Sequence, residues 1–306
     1  MNSSSIHRRE FLRYAALGTF SFLTYSALAT KIAGVAANRS KFDGQDIFKR
    51  IVDKARSNKW TKLPIGELMG KIARELEGTP YVGFTLETSK DQESCVVNLN
   101  GLDCVTFFED TLCMARMLKR GKSKPEDMLA ELQYTRYRGG KMGDFTTRLH
   151  YTTDWFVDNE KKGVVKILAP TLPGSAPFTQ KVGIMSQKSA NYRQLAAHPE
   201  MVPTIQKLEA EINERQLMFV PMDKLGEAQS HLQTGDIVGV ATTEAGIDIA
   251  HTGLVVKDEQ GVPHFMDASS SKKHYRVTFE DGPISKAFGW SKKLTGAMFA
   301  RPLEVA

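Results

Sequence analysis

The stretch NLNGLDCVTFFEDTL, residues 98–112, passes from a glycine-bearing loop into an apolar-periodic run at a cysteine. Asp103 is a favourable residue for capping a helix N-terminus. From Asp103 to about Arg120, Val105, Phe108, Leu112 and Ala115 recur on one face, so the spacing predicts a helix with Cys104 as its first residue. At that position the partial positive charge of the helix end and its unbonded amides stabilise a thiolate. The same amides can receive a developing oxyanion. A buried structural cysteine fits the position equally well, so the other residues must decide.

Working outward, GQDIFKRIVDKARSN (44–58) reads as an amphipathic helix. PIGELMGKIARELEG (64–78) reads as a second, with Pro64 near its start and Gly78 at its stop. TPYVGFTLE (79–87) and SCVVNLN (94–100) are β-rich, and KPEDMLAELQYTRY (124–137) is helical. Residues 139–200, rich in Gly, Pro, Ser and Thr, read as long loops around short elements. Such loops often build a binding cleft, and 160–200 is the expected lid. In the last third, QLMFVP is a short strand and MDKLGEAQSHL a helix. GDIVGVAT, HTGLVV, PHFMDAS and HYRVTF follow as strands, with Gly235, Gly246 and Gly261 in the turns. Helices followed by a meander of strands make an α+β fold, expected as one domain over 30–306.

The first thirty residues differ in kind. HRREFLRYAALGTFSFLTYSALAT (7–30) has paired arginines, an uncharged stretch from Ala15 to Ala29, and a small-residue site at Ala27-Leu28-Ala29. As a helix that stretch would reach roughly 22 Å, short of the ~30 Å membrane core. Residues 1–29 therefore read as a signal peptide, cleaved near Ala29, with an uncleaved anchor as the other reading. Arg8 and Arg9 followed by Phe11-Leu12 resemble a twin-arginine signal, which implies passage through that export machinery to the periplasm. The net charge of +6 falls by two when Arg8, Arg9, Arg13 and Glu10 are set aside. The remaining charge is spread along the chain, without the basic stripe that nucleic-acid binding needs.

Three cysteines remain, Cys95, Cys104 and Cys113. An exported protein would pair two of them. Nine residues of helix would set Cys104 and Cys113 ~13 Å apart on opposite sides, beyond the ~7 Å that a disulfide tolerates. Either Cys95 pairs with Cys113 or both are buried thiols, and in both cases Cys104 is free.

A thiolate nucleophile needs a histidine, itself held by a third polar group. His7 lies in the leader, while His198 and His231 read as surface residues. Of His150, His251, His264 and His274, His251 stands out because it opens a strand after TTEAGIDIA and precedes a glycine that leaves room for close approach. The next strand offers Asp267 or His264, which face opposite ways because three residues separate them. Asp267, between apolar and small neighbours, is the preferred partner. Glu244 and Asp248 read as solvated turn residues. There is no H-E-x-x-H, no C-x-x-C and no pair of histidines at helical spacing, so neither metal nor cofactor is expected.

GLDCVTF, GDIVGVATTEAGIDIAHTGLVV and FMDASS, together with RLHYTTDWFVDN (148–159) and GTPY (78–81), resemble the N-acetylmuramoyl-L-alanine amidase-like family of NlpC-type, papain-like cell-wall hydrolases. The likeness runs from about residue 65 to MFARPL near the end. It implies a papain-like α+β fold with Cys104 as nucleophile, His251 as base and Asp267 as the third member, where many relatives carry His; His264 is the alternative. It also implies that Tyr81 lines the cleft. Arg148, His150, Tyr151, Asp154 and Trp155 either form a substrate-binding wall or a structural network. Ser269 and Ser270 either donate to ligand or end a strand. The implied activity is exported hydrolysis of peptidoglycan or muropeptides at the muramoyl–L-alanine amide through an acyl-enzyme. The alternatives are a γ-D-glutamyl–diamino acid endopeptidase and a muropeptide-binding protein without catalysis.

Overall fold

The computed structural model describes residues 42–271 and 274–305, so the expected leader at 1–29 lies outside the described residues. The helices α1 (Gln45–Ser57) and α2 (Ile65–Glu75) form where the periodicity placed them, each burying one apolar stripe: Phe48, Ile51, Val52 and Ala55 in α1; Leu68, Met69 and Ile72 in α2. α3 (Cys104–Lys119) begins at Cys104 and is buried from Thr106 to Leu118, the central rod of the molecule. α4 (Pro125–Arg136) packs beside it, with Pro125 in the first helical turn, where its missing N–H costs nothing.

A short parallel pair, β1 (Phe42–Asp43) with β2 (Val97–Asn98), ties the start of the described chain to the loop before α3. The main sheet has eight strands. Its order is β4 (Ala176–Phe178), β5 (Leu217–Pro221), β10 (Leu294–Pro302), β6 (Ile237–Thr242), β7 (Ile249–Lys257), β8 (Pro263–Ser269) and β9 (Arg276–Phe279), with β3 (Val165–Ile167) also paired to β10. Every pairing is antiparallel. Both faces are buried, and alternate residues show it. Ile237, Leu254, Val256, Met266, Met298 and Ala300 join the helices in one cluster. Val238, Val240, Val255, Phe265, Ala297 and Phe299 join Leu225, Ile284 and Phe288 in another.

Several elements depart from the sequence reading. β10 was not anticipated, yet it is a central strand. TPYVGFTLE forms only isolated bridges, Pro80 to Arg276 and Tyr81 to Leu102. The helix expected at 222–232 is a chain of single turns. The loop-rich 139–200 region contains α5 (Thr152–Lys161), and α6 (Val202–Asn213) follows it. The 180–185 stretch of the expected lid is fixed against the turn before β7, through Gln180 to the carbonyls of Glu244 and Ile247 and through the Gly183 and Ile184 amides to Gly246. Asp248 is not solvated. It is buried, and its carboxylate accepts hydrogen bonds from the Thr153 amide and hydroxyl at 2.8 and 2.7 Å, capping α5. Among the described residues no helix is long and apolar enough to cross a membrane.

Candidate active site

Asp103 builds the start of α3. Its carboxylate accepts from the amides of Val105 (3.0 Å) and Thr106 (2.8 Å), while Thr106 Oγ1 accepts from the Asp103 amide at 2.9 Å. This reciprocal cap satisfies two of the helix's orphan donors. It leaves the amide of Cys104 at the mouth of the helix, beside the half-exposed thiol.

His251 arrives from the sheet. β7 begins two residues earlier than expected, and a bulge between Val240 and Ala241 of β6 lies opposite His251. Thr252, next to it and only 1 % exposed, donates its hydroxyl to the carbonyl of Cys104 at 2.8 Å. One strand therefore carries both the His251 imidazole and the side-chain bond to the Cys104 backbone.

Of the two candidates for the third position, the structure brings Asp267 to the ring, with its Oδ2 2.6 Å from His251 Nε2. His264 faces away. It stands opposite Val256, bonds Asp258 at 3.0 Å through Nε2, and stacks on Phe279. Asp267 occupies Nε2, which leaves Nδ1 as the ring's other nitrogen. Burial alone would hold the ring neutral. Attraction to Cys104 and Asp267, with hydrogen bonds to both, overrides it and pushes the imidazole up to about 10.

Two aromatic rings wall this pair. Phe265 meets His251 at 6.0 Å between centroids and Trp290 at 6.1 Å, both nearly edge-on. Gly253 makes the first contact possible. A Cβ there would lie 2.6 Å from Phe265 Cε2 and 2.5 Å from the Met266 carbonyl. The glycine thus admits the ring of a protein side chain. Neither Thr252 nor Trp290 was identified from sequence, and a threonine in a strand or an aromatic after a glycine gives no local signal of such a role.

Tyr81 lies near enough to Cys104 and Asp103 to feel their charges. Its phenol is raised well above the usual range, first by burial and then by the charges of Cys104 and Asp103, so it stays an O–H donor. Ser269 Oγ accepts from the Ser271 amide at 3.3 Å and so closes the end of β8, while Ser270 Oγ is buried.

Within RLHYTTDWFVDN, Arg148, His150, Tyr151 and Asp154 line a small cavity together with Arg138 and Glu209, while Trp155 lies in the core. Trp155 is 2 % exposed and donates to Glu109 of α3 at 2.9 Å, and Arg136 bonds the other oxygen of the same carboxylate at 2.8 Å. Arg148 pairs with Glu87 at 2.7 Å and lies over the Phe145 ring. His150 bonds the Phe145 carbonyl, and burial pushes it down to about 3, a neutral ring. The Tyr151 hydroxyl donates to Glu209 at 2.6 Å, and Asp154 is shared by Arg138 and Arg215. All five side chains bond protein partners, and Trp155 ties the segment to Glu109 of α3. The three cysteines are all free. Cys95 and Cys113 are buried thiols, and Cys113 Sγ lies 3.2 Å from Thr135 Oγ1.

Residues 71–284 match the family described as AmiA-like, N-acetylmuramoyl-L-alanine amidase-like. The fold is similar to that of an N-acetylmuramoyl-L-alanine amidase from Bacteroides uniformis, with a TM-score of 0.71 and 27% identity over 78% of this chain and 99% of that one. It is also similar to a Bacteroides fragilis protein provisionally described as a xylanase (TM-score 0.67, 30% identity, 75% of this chain and 98% of that). A Legionella pneumophila protein at 17% identity shares the fold alone (TM-score 0.63, 85% and 95%). No curated protein matches the chain.

Proposed function

Because the chain belongs to the N-acetylmuramoyl-L-alanine amidase-like family, we propose that it is an exported, papain-like cysteine hydrolase of the NlpC type. Its bond is the amide between the lactyl group of N-acetylmuramic acid and L-alanine, in peptidoglycan or its muropeptide fragments. The observation that carries this reading is the 2.6 Å contact of His251 with Asp267, on the strand whose Thr252 hydroxyl bonds the Cys104 carbonyl. The leader at residues 1–29 supports twin-arginine export to the periplasm.

The Cys104 thiol passes its proton to His251 as its sulfur attacks the lactyl carbonyl carbon, and the oxyanion that forms takes the Cys104 amide left by the cap. As the C–N bond breaks, His251 gives its proton to the alanine nitrogen and the peptide leaves as an amine. Water, losing a proton to His251, then attacks the thioester and releases the lactyl carboxylate with regeneration of the thiol. Asp267 holds the imidazole in one tautomer throughout. A glycosidase would instead need two carboxylates facing each other across a cleft at roughly 5–10 Å, and here the group facing the thiol is an imidazole.

Incubating purified muropeptides with wild type and Cys104→Ala, followed by mass analysis of products, tests the reading. Intact sugar plus a stem peptide beginning with L-Ala, from wild type alone, supports it. A cut within the stem peptide identifies the endopeptidase, and binding without any product identifies a binding protein.

A further inference from the structure

Two bulky residues hold backbone torsions that side chains seldom adopt, Phe84 with φ +62° and Tyr275 with φ +45°. Such left-handed conformations cost about 1–2 kcal/mol each. Both residues are also turned to solvent, Phe84 83 % and Tyr275 56 % exposed. Burial therefore does not account for either ring. Strain of this kind collects at ligand sites, where the surrounding structure fixes it.

Here the fixing is visible. The Tyr81 amide donates to the Tyr275 carbonyl at 3.0 Å, and the Val277 amide donates to Thr79 at 2.7 Å. On its other side the segment is bonded to the loop that leads into Cys104, through the Val82 amide to the Leu102 carbonyl and the Leu102 amide to Pro80, both at 3.0 Å. The Tyr81 and Tyr275 rings pack against each other with centroids 5.4 Å apart. An aromatic surface is thus clamped to the nucleophile's own loop.

We infer that Tyr275, with Tyr81 beside it and Phe84 on the adjoining loop, is a ledge on which the pyranose ring next to the scissile amide stacks. The assignment rests on the amide proposed above. In that substrate the lactyl carbonyl carbon is only about three bonds, roughly 4 Å, from the sugar ring. A sugar whose amide sits on the sulfur must therefore lie against whatever borders Cys104. The C–H face of a pyranose packs on an aromatic face, and tyrosine hydroxyls at its edge can meet the sugar's polar groups. The stem peptide, with its free carboxylates, calls instead for cations, and Arg148 is already committed to Glu87.

The test separates the ledge from the hydrolysis. In a Cys104→Ala background, binding of the peptide-free disaccharide N-acetylglucosaminyl-N-acetylmuramic acid is measured by titration calorimetry. Adding Tyr275→Ala should weaken it about tenfold, whereas Tyr275→Phe should keep most of the affinity. Undetectable disaccharide binding, or equal affinity with and without the Tyr275 ring, overturns the ledge. In the active enzyme, Tyr275→Ala should lower kcat/KM for a muropeptide at least about tenfold more than for a lactoyl peptide lacking the sugar. Equal losses on the two substrates overturn it as well. Should wild type cleave no muropeptide, the hydrolase reading fails by itself, and the calorimetric comparison still decides the ledge.

Discussion

Replacing Thr252 by valine removes one hydroxyl from a buried strand and leaves its shape nearly intact. The bond it deletes, 2.8 Å from Thr252 Oγ1 to the Cys104 carbonyl, links the strand of the base to the first turn of the nucleophile helix. Losing it should cost about 1 kcal/mol of stability, the net worth of one hydrogen bond. The larger effect should be on chemistry. The sulfur and the imidazole sit on different elements, and a displacement on the order of 1 Å between reacting groups can cost about 10²-fold in rate. Steady-state kinetics on a muropeptide should show kcat reduced by about ten- to a hundredfold with KM little changed. Thr252→Ser, which keeps the hydroxyl, should recover most of the loss, and the pH profile of the valine variant should be displaced while that of the serine variant is not. A valine enzyme with wild-type kcat, or a serine enzyme as impaired as the valine one, refutes the idea that this bond sets the catalytic geometry.

Other outcomes follow from the same coordinates. His251 is raised to about 10 by its two partners, so kcat/KM should fall on the alkaline side only as pH rises through that value; Asp267→Asn should move this limb to lower pH and reduce kcat. Asp110 of α3 is buried and burial pushes its carboxyl up to about 8, so the folded state keeps a proton that the unfolded chain has lost. Stability should therefore decline as pH rises from about 4 towards 8, and Asp110→Asn should raise Tm at pH 8, by up to a few kcal/mol in free energy, with the gap closing near pH 4. Gly253→Ala forces a Cβ against the Met266 carbonyl, which cannot retreat as a side chain could. Denaturant melts should show a loss of about 1–3 kcal/mol.

What the sequence disclosed follows from the range over which each signal acts. α3 and its first residue were readable because cap and periodicity lie within a few positions, Asp103 to Thr106 and onward. β6 to β9 were readable from apolar runs between glycine turns. β10 was not, because LTGAMFARP is buried on both faces and its small residues and proline carry no alternating pattern. α5 escaped because its cap, Asp248, comes from a distant turn. The same distance left the reading of Arg148 and Trp155 open between wall and network, because their partners Glu87 and Glu109 lie far away in sequence. Strand alternation allowed only one of Asp267 and His264 to face the His251 ring, and the flanking residues favoured Asp267, which is the one that bonds it.

The account stands on one sulfur attacking one carbonyl carbon, and trapping the intermediate tests both at once. Wild type mixed with a defined muropeptide, acid-quenched within the first turnover and digested for mass analysis, should yield a peptide containing Cys104 that carries the N-acetylmuramoyl group and no L-alanine. An adduct on Cys104 that retains L-alanine and D-glutamate would move the cut into the stem peptide. Full turnover with Cys104 unmodified under the same quench, and equal turnover by Cys104→Ala, would contradict the account at its root.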